Sequence, residues 1–360
     1  MFKRLNFSSL LSLTHKRSVL KLLLFLIFLT GCGQKRGARN IERSFYYWKS
    51  SFIPGELEKN RLSELSIKRL YIKFFDIVWS QERNEPMPTA IIKFPQKHMH
   101  SAYTIIPTVF ITNECMQKLA ATQVKALAGK ILSLIKNITS VNNISAVQEI
   151  QMDCDWSAAT KDNYFLLLQS IKGLLAGENT LLSVTIRLHQ YKYSKRMGVP
   201  PVDRGLLMCY NMGNLKSFYI RNSILEPEVL KKYLTGGSGY FLPLDVALPI
   251  FSWKVLFRNK IYAGLIRELP SSSLNNNILI KRSGHNYEIQ QATSIDGYSF
   301  QQGDIIRDEE ITYEELKKAT ELLNEKLRTQ QLRVVLYHLD SITLSKYSLN
   351  ELETIFNNLH

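Results

Sequence analysis

The sequence predicts an α/β protein folded as a single (β/α)₈ TIM barrel with a β-rich insertion, and three observations support this. The chain has 360 residues, of which 45% are hydrophobic and 21% are charged, so it can bury a large core. Short apolar runs rich in β-branched and aromatic residues alternate with amphipathic helical patterns, which is typical of a parallel sheet. The alternation repeats eight times over roughly 310 residues, which suits a closed eight-stranded barrel.

Eight apolar runs are the predicted barrel strands. The first is the aromatic run SFYYWKSSF, which Pro54-Gly55 ends, and the last is LRVVLYH near the C-terminus. The predicted strands occupy residues 44–52, 68–79, 102–112, 149–156, 182–188, 205–212, 245–253 and 332–338.

Helical patterns separate most of these strands. A short helix is predicted over 56–65, and a second apolar stripe covers 164–175 after strand four. The long helix after strand three has a stripe formed by Leu119, Val124, Leu127, Ile131 and Ile135. Pro227 begins a further helix that ends at Gly236-Gly237. The capping boxes Thr312-x-x-Glu315 and Ser348-x-x-Glu351 begin the helices on either side of strand eight.

Residues 257–308 do not fit a single strand–helix unit. They contain short alternating pieces at 277–281 and 287–291, bounded by turn residues. We therefore predict a β-rich insertion between strands seven and eight, within a barrel domain that spans 44–360.

The N-terminus has the features of a secretory signal. Residues 1–31 contain five basic residues and no acid, and the apolar run at 22–29 is too short to span a bilayer. Leu29-Thr30-Gly31-Cys32 resembles the bacterial lipobox, which would make Cys32 the first mature residue, diacylated through its sulfur. We predict a signal peptide over 1–31 and a lipidated tether over 32–43. A short anchor with a chance cysteine is the alternative.

Charge supports a membrane partner better than nucleic acid. Cleavage after residue 31 removes five basic residues, so the formal net charge falls from +15 to +10. Lys35, Arg36 and Arg39 then lie beside the lipid, where basic residues favour anionic headgroups. Gly33 supplies no acidic retention signal, which favours the outer membrane. We expect a lipid-anchored protein of the bacterial cell envelope, with no nucleic-acid partner.

Candidate site residues follow from the barrel, because active sites lie at the C-terminal ends of its strands. Aromatic rings there can stack on sugars, and carboxylates can bind hydroxyls or transfer protons. Beside the strand-four aspartates, the predicted substrate-binding residues are Trp48, Asp76, Glu114, Trp156, His189, Tyr210, Asn211, Trp253 and His338.

Strand four contains the predicted catalytic pair, Asp153 and Asp155. The two residues are two positions apart on a strand, so both side chains should point into the barrel and raise each other's pKa. Asp155 would be the ionised stabiliser or base, and Asp153 its neighbour. The alternative is that each aspartate pairs with Lys or Arg, or caps the following helix.

These residues resemble a known family. Asp153-Cys154-Asp155 resembles the D-x-D core of the D-x-x-D-x-D-x-E signature of chitinase-like, family-eighteen glycoside hydrolases, and Met208-Cys209-Tyr210-Asn211 resembles their M-x-Y-D on strand six. The mature chain is also similar to a group of bacterial lipoproteins with glycosidase-like barrels. The resemblance implies a glycan ligand.

Three positions depart from the family pattern. Ser157 stands where the family has its proton-donating Glu, and a hydroxyl cannot protonate a glycosidic oxygen as a carboxylic acid does. Ile150 replaces the first Asp, and Asn211 replaces the Asp of M-x-Y-D. Two hypotheses follow: a carbohydrate-active barrel in which another carboxylate is the acid, or a non-catalytic glycan-binding or envelope-assembly lipoprotein.

Other reactive side chains point to no further chemistry. His98 and His100 have no third ligand in sequence and are interpreted as solvated loop residues, so we predict neither a metal nor a cofactor. Buried thiols are expected for the three cysteines in or beside strands, although export permits a disulfide; these are Cys115, Cys154 and Cys209.

Overall fold

The computed structural model describes residues 39–95, 99–144, 147–235, 240–267, 269–275, 277–327 and 329–359. Eight parallel strands close into a barrel, because strand one pairs with both strand eight and strand two. The predicted TIM-barrel fold is therefore confirmed. In chain order, barrel strands one to eight are Asn40–Tyr47, Arg69–Ser80, Thr104–Ile111, Glu149–Cys154, Leu181–Arg187, Arg204–Met208, Leu244–Pro249 and Gln331–Tyr337.

Helices cover the outside of the barrel. Both capping boxes form as predicted, since Thr312 accepts a hydrogen bond from the Glu315 N–H and Ser348 accepts one from the Glu351 N–H. In the described residues the α-helices are Glu56–Glu64, Asn113–Lys118, Val124–Val141, Lys161–Leu174, Leu188–Lys192, Ser194–Met197, Pro227–Leu234, Ser271–Asn275, Tyr313–Lys326, Ser341–Leu344 and Leu349–Asn357. No helix in these parts of the chain is long and apolar enough to cross a membrane.

The helical stripe predicted after strand three is divided in the structure. Thr112 caps a first helix, Asn113–Lys118, which stops because Leu119 adopts an extended backbone. The main helix begins only at Val124 and buries Leu127, Ile131 and Ile135 as the stripe predicted. The apolar periodicity continued through the break, so the sequence did not reveal it.

An ionic network fills the N-terminal end of the barrel. Arg333 on strand eight pairs with Glu42 at 3.0 Å and also with Glu149 on strand four. Arg204 pairs with Asp245 at 2.6 Å. Glu149 and Asp245 are buried in this network, whereas Glu42 is partly exposed.

Strand one differs from its predicted bounds. It begins at Asn40, four residues earlier than predicted, and ends at Tyr47. Glu42 lies in the added part of this strand, where its carboxylate pairs with Arg69 at 2.5 Å and with Arg333. Because these ion pairs stabilise polar residues at the start of the strand, apolar alternation does not predict that part.

Strand seven ends at Pro249, and Trp253 begins the insertion. The insertion contains an antiparallel sheet with its own apolar core, which includes Tyr287, Ile289 and Ile306. Its five strands, in sheet order, are Ile261–Ile266, Trp253–Arg258, Ile305–Glu309, Asn286–Ile289 and Ile280–Ser283. A hairpin of Thr293–Ile295 and Tyr298–Phe300 follows, and a further strand, Glu85–Thr89, pairs with the end of strand two.

Candidate functional site

Aromatic rings gather at the C-terminal mouth of the barrel. Tyr337, the last residue of strand eight, has ring-centroid distances of 5.6 Å to Tyr46, 5.9 Å to Trp48, 5.4 Å to Tyr210 and 5.5 Å to Phe251. We call these five residues the aromatic cluster. It joins strands one, six and eight with the segment after strand seven, so the closed barrel is what assembles it.

The aromatic cluster has a buried part and an accessible part. Tyr46 and Tyr210 are buried, whereas Trp48, Phe251 and Tyr337 are half-buried at the mouth. The Tyr46 hydroxyl donates to Gln151, but the Tyr210 hydroxyl has no hydrogen-bond partner among the described residues. Buried hydroxyls in folded proteins nearly always have a partner. The Tyr210 hydroxyl is therefore an exception to this rule, and it lies within the aromatic cluster.

Asp153 is the buried carboxyl group beside this cluster. It is 5% exposed and accepts a hydrogen bond of 2.6 Å from the Thr185 hydroxyl. Burial and the negative charge of Asp155 raise the pKa of Asp153 to about 6, against the opposing effects of Arg187 and Thr185. A carboxyl group with this pKa is partly protonated near neutral pH, so it can donate a hydrogen bond or a proton.

Asp155 forms a bidentate ion pair with Arg187 at the end of strand five. Arg187 Nη2 donates to one carboxylate oxygen at 2.8 Å, and its Nε donates to the other. Burial lowers the pKa of Arg187, but the hydrogen bonds and charge of Asp155 raise it by more. The structure thus realises the ion-pair alternative for Asp155, with both oxygens bound to the guanidinium.

Two other predicted carboxylates are also paired. Asp76 on strand two accepts from Lys73 at 3.1 Å and lies close enough to add slightly to the raised pKa of Asp153. Glu114 is exposed on the helix Asn113–Lys118, where Lys118 and Gln81 each donate to it at 2.8 Å. Glu114 therefore interacts with its own helix and with the strand-two turn, and not with the aromatic cluster.

The two predicted histidines lie at the C-terminal mouth, and both have lowered pKa values. The side chain of His189 is exposed on one side. The protein around its other side removes water from the ring, and this desolvation together with the charge of Arg187 lowers the pKa of His189. Burial lowers the pKa of His338, whose Nδ1 has no hydrogen-bond partner in the described part of the chain. Asn211, after strand six, is exposed with φ 53°, a left-handed conformation that Asn tolerates.

Trp253 reaches the mouth from the insertion. Its ring lies 5.2 Å from Phe251, and its Nε1 donates to Glu309 at 2.7 Å. This hydrogen bond fixes the orientation of the half-buried ring beside the aromatic cluster.

Trp156 is a correction to the predicted set. It is 1% exposed, its ring stacks on Tyr164 at 5.3 Å, and its Nε1 donates to the Met197 carbonyl at 3.1 Å. The ring is part of the core between strand four and its helix, so it has no face open to a sugar. Ser157 follows it just before a turn, and its N–H donates to the Thr160 hydroxyl oxygen at 2.9 Å.

Tyr46, Arg187, Phe251 and Tyr337 are site residues outside the predicted set. Tyr46 and Trp48 are two residues apart, so their side chains are expected on the same face of the strand. The alternation that predicted Trp48 could therefore also have predicted Tyr46. Arg187 needed knowledge of the register between strands four and five, which periodicity does not supply. Cys115, Cys154 and Cys209 are buried free thiols, as expected.

Two of the residues singled out in the sequence lie outside the described part of the chain. Cys32 and His98 are outside the described ranges, and lipidation remains a prediction. Within those ranges no group of three or more His, Cys, Asp or Glu side chains could hold a metal ion.

Comparison with solved structures places the chain among TIM barrels related in shape to glycoside hydrolases. The spore cortex-lytic enzyme SleL of Bacillus megaterium QM B1551 superimposes with a TM-score of 0.57 at 14% identity, covering 90% of this chain and 75% of that chain. SleL of Bacillus cereus gives a TM-score of 0.53 at 13% identity, covering 90% and 76%. The C-terminal domain of a putative chitinase from Desulfitobacterium hafniense DCB-2 gives 0.53 at 11% identity, covering 90% and 100%.

The comparison confirms the expected similarity to chitinase-like barrels at the level of the fold. No protein-family model matches the sequence, and no curated protein matches it.

Proposed function

We propose that this protein is an envelope-anchored lipoprotein that binds a glycan at the C-terminal mouth of its barrel. The observation that carries this proposal is the aromatic cluster around Tyr337, next to the buried Asp153 and the unpartnered Tyr210 hydroxyl. Half-buried rings offer apolar faces to a sugar ring, and the two polar groups offer partners for its hydroxyls. The solved structures with similar folds are described as spore cortex-lytic enzymes and a putative chitinase, which favours a carbohydrate ligand.

Binding without hydrolysis agrees best with the charges at the mouth. Of the four predicted site carboxylates, Asp76, Glu114 and Asp155 are each paired with a cation. Only Asp153 lacks a paired cation, and two-carboxylate hydrolysis needs a second group placed across the bond to be cleaved.

Hydrolysis is a second candidate because of one observation, the pKa of about 6 at Asp153. A carboxyl group with a raised pKa is the usual proton donor to a glycosidic oxygen. If Asp153 has this role, Asp153→Asn should reduce turnover at least about a hundredfold while the glycan still binds. Turnover unchanged in that variant would exclude Asp153 as the donor.

The first prediction tests glycan binding through Trp48. The full chain is screened on a glycan array that includes N-acetylglucosamine oligomers, and affinity for the best ligand is measured by calorimetry. Trp48→Ala removes a half-buried ring from the cluster, so we expect about a tenfold weaker affinity.

The matched control is Phe241→Ala, which removes an exposed aromatic ring at the opposite end of the barrel. It should bind as the wild type does. Equal affinity of Trp48→Ala and wild type, or no bound glycan at all, would contradict the proposed site.

A further inference from the structure

The described chain enters the barrel at its N-terminal end. Strand one begins at Asn40, directly after Arg39, and all eight strands run in the same direction from this end. Six residues lie between Cys32 and Arg39, so seven peptide units join their Cα atoms and span at most about 25 Å when fully extended. A lipid at Cys32 therefore keeps the N-terminal end of strand one within about 25 Å of the membrane.

The height of the barrel limits which end can face that membrane. The 18-residue helix Val124–Val141 runs along the barrel, and a helix of this length extends about 27 Å. A fully stretched tether of about 25 Å is shorter than this height, so it does not reach the opposite end. The anchor therefore keeps the C-terminal mouth from facing the membrane and brings the N-terminal end close to it.

Exposed apolar side chains are present on this end of the barrel. Val141 and Leu174 end their helices, Leu181 begins strand five, and Phe241 precedes strand seven by three residues. All four therefore lie on helix-to-strand connections, which are at the N-terminal end of the barrel. Phe241 is 93% exposed and Val141 is 71% exposed. The set comprises Val141, Leu174, Leu181 and Phe241, which we call the apolar arc.

Basic residues accompany the apolar arc. Lys231 and Lys232 are exposed in the last turn of the helix Pro227–Leu234, and Lys68 is exposed just before strand two. The nearby carboxylates Glu178 and Asp203 are already paired with lysines, at 2.8 and 2.7 Å. The end therefore combines apolar side chains with an excess of positive charge, which suits the interface of an anionic bilayer.

We infer that the N-terminal end of the barrel is a membrane-docking surface for anionic phospholipids, with the apolar arc at the headgroup level and the lysines on the phosphates. This inference rests on the proposed lipid anchor at Cys32 for its orientation. It fixes the candidate glycan site on the opposite end, directed away from the lipid.

The test uses the full, processed protein in vesicles of phosphatidylethanolamine and phosphatidylglycerol that contain a nitroxide-labelled lipid. A fluorophore is attached to Phe241→Cys or, as the matched control, to Tyr219→Cys, which replaces an 85% exposed aromatic at the C-terminal end. The native thiols at 115, 154 and 209 are buried and should not react in the folded protein. Quenching at position 241 should be at least about threefold stronger than at position 219.

Lys231→Ala with Lys232→Ala tests the charge. The pair of substitutions should reduce quenching at position 241 on anionic vesicles and leave it unchanged on phosphatidylcholine vesicles. Equal quenching at 241 and 219 in vesicle-bound protein would overturn the inference while leaving the anchor intact. If position 241 is protected from labelling in cells but is not quenched by the labelled lipid in vesicles, a protein partner covers this surface. That result would also overturn the inference. Failure of the unmodified protein to join vesicles would instead contradict the anchor.

Discussion

Asp153 is the residue whose ionisation is most altered by the fold. Its pKa is about 6 in the barrel, because burial and Asp155 disfavour the charged form, whereas an unfolded chain has a value near about 3.9. The folded state therefore holds the proton more tightly than the unfolded state. Below about pH 4 Asp153 is protonated in both states and does not reduce the free energy of unfolding. As the pH rises from about 4 to 6, the unfolded chain loses this proton before the folded protein does, so the free energy of unfolding falls; above about pH 6 the decrease is complete.

Asp153→Asn should remove this penalty. Asn keeps an oxygen that can accept from Thr185 and has no charge to bury. Relative to wild type, the free energy of unfolding of the variant should increase by about 2 kcal/mol between pH 4 and pH 7. Chemical denaturation at a series of pH values measures this difference.

Asp304→Asn is a control with the opposite sign. The pKa of Asp304 is lowered despite its burial, because Arg258 and the Gln301 N–H donate to its carboxylate. Its charge stabilises the fold above its pKa, so this variant should lose stability relative to wild type as pH rises. A pH-independent difference for Asp153→Asn would show that Asp153 titrates normally in the folded protein.

Prediction at the residue scale succeeded where strand alternation decides the outcome. Asp153 was found because it lies on the inward side of strand four, and Tyr210 because it follows the end of strand six at the mouth. The pairing of Asp155 with Arg187 depends on strand register, and the burial of Trp156 depends on how Tyr164 packs against it. Neither interaction is local in sequence, so neither could be predicted from spacing.

At the scale of elements, a buried ion pair attaches the insertion to the barrel. Arg307 and Glu309 lie on one insertion strand and pair at 2.6 Å, with both side chains almost fully buried. Arg307 also donates to the carbonyls of Ser217 and Leu215, and Glu309 accepts from the Ser223 N–H and hydroxyl. The pair thus holds the loop after strand six against the insertion.

Glu309→Gln should loosen this attachment. The substitution leaves the Arg307 charge buried without its partner, which typically costs about 3–5 kcal/mol. Amide hydrogen exchange should accelerate in residues 213–223 and in the insertion, and the fluorescence of Trp253 should change because its Nε1 donates to Glu309. Barrel strands two to five should exchange as in wild type.

Glu228→Gln is the matched substitution for this experiment. Glu228 pairs with Lys318 at 2.7 Å on the surface, where both side chains are more than half exposed. Exposed ion pairs contribute little, so its exchange pattern should equal that of wild type. Similar exchange in both variants would show that the buried pair does not hold the loop.

Element bounds were predictable where apolar alternation and turn residues coincide. Strands two, three, four, five and eight were predicted to within two residues at each end, whereas strands six and seven were extended too far, through Met212 and Trp253. Residues 250–253 are apolar enough to continue a strand, but in the structure residues 250–252 connect the barrel to the insertion sheet, which begins at Trp253. The start of that sheet is set by pairing with residues 305–309, more than forty positions away.

At the scale of the whole molecule, the barrel places its two distinctive surfaces at opposite ends. The aromatic cluster and Asp153 lie where the strands end, and the apolar arc lies where they begin. The parallel strands cause this separation, because the loops that follow strands all lie at the C-terminal end and the loops that precede strands all lie at the N-terminal end. A lipid on the N-terminal segment would therefore hold the candidate glycan site about one barrel height from the membrane.

The final prediction concerns the anchor itself. In Cys32→Ala the thioether cannot form, so the protein should leave the membrane fraction or remain as an uncleaved precursor. Fractionation after a high-salt wash, with mass spectrometry of the N-terminus, distinguishes these two outcomes; the wash also removes protein held only by the lysines of the docking surface. Gln34→Ala changes a neighbouring residue and should stay membrane-bound like wild type. A correctly processed Cys32→Ala chain that resists the wash would show that lipidation at Cys32 is not what anchors the protein.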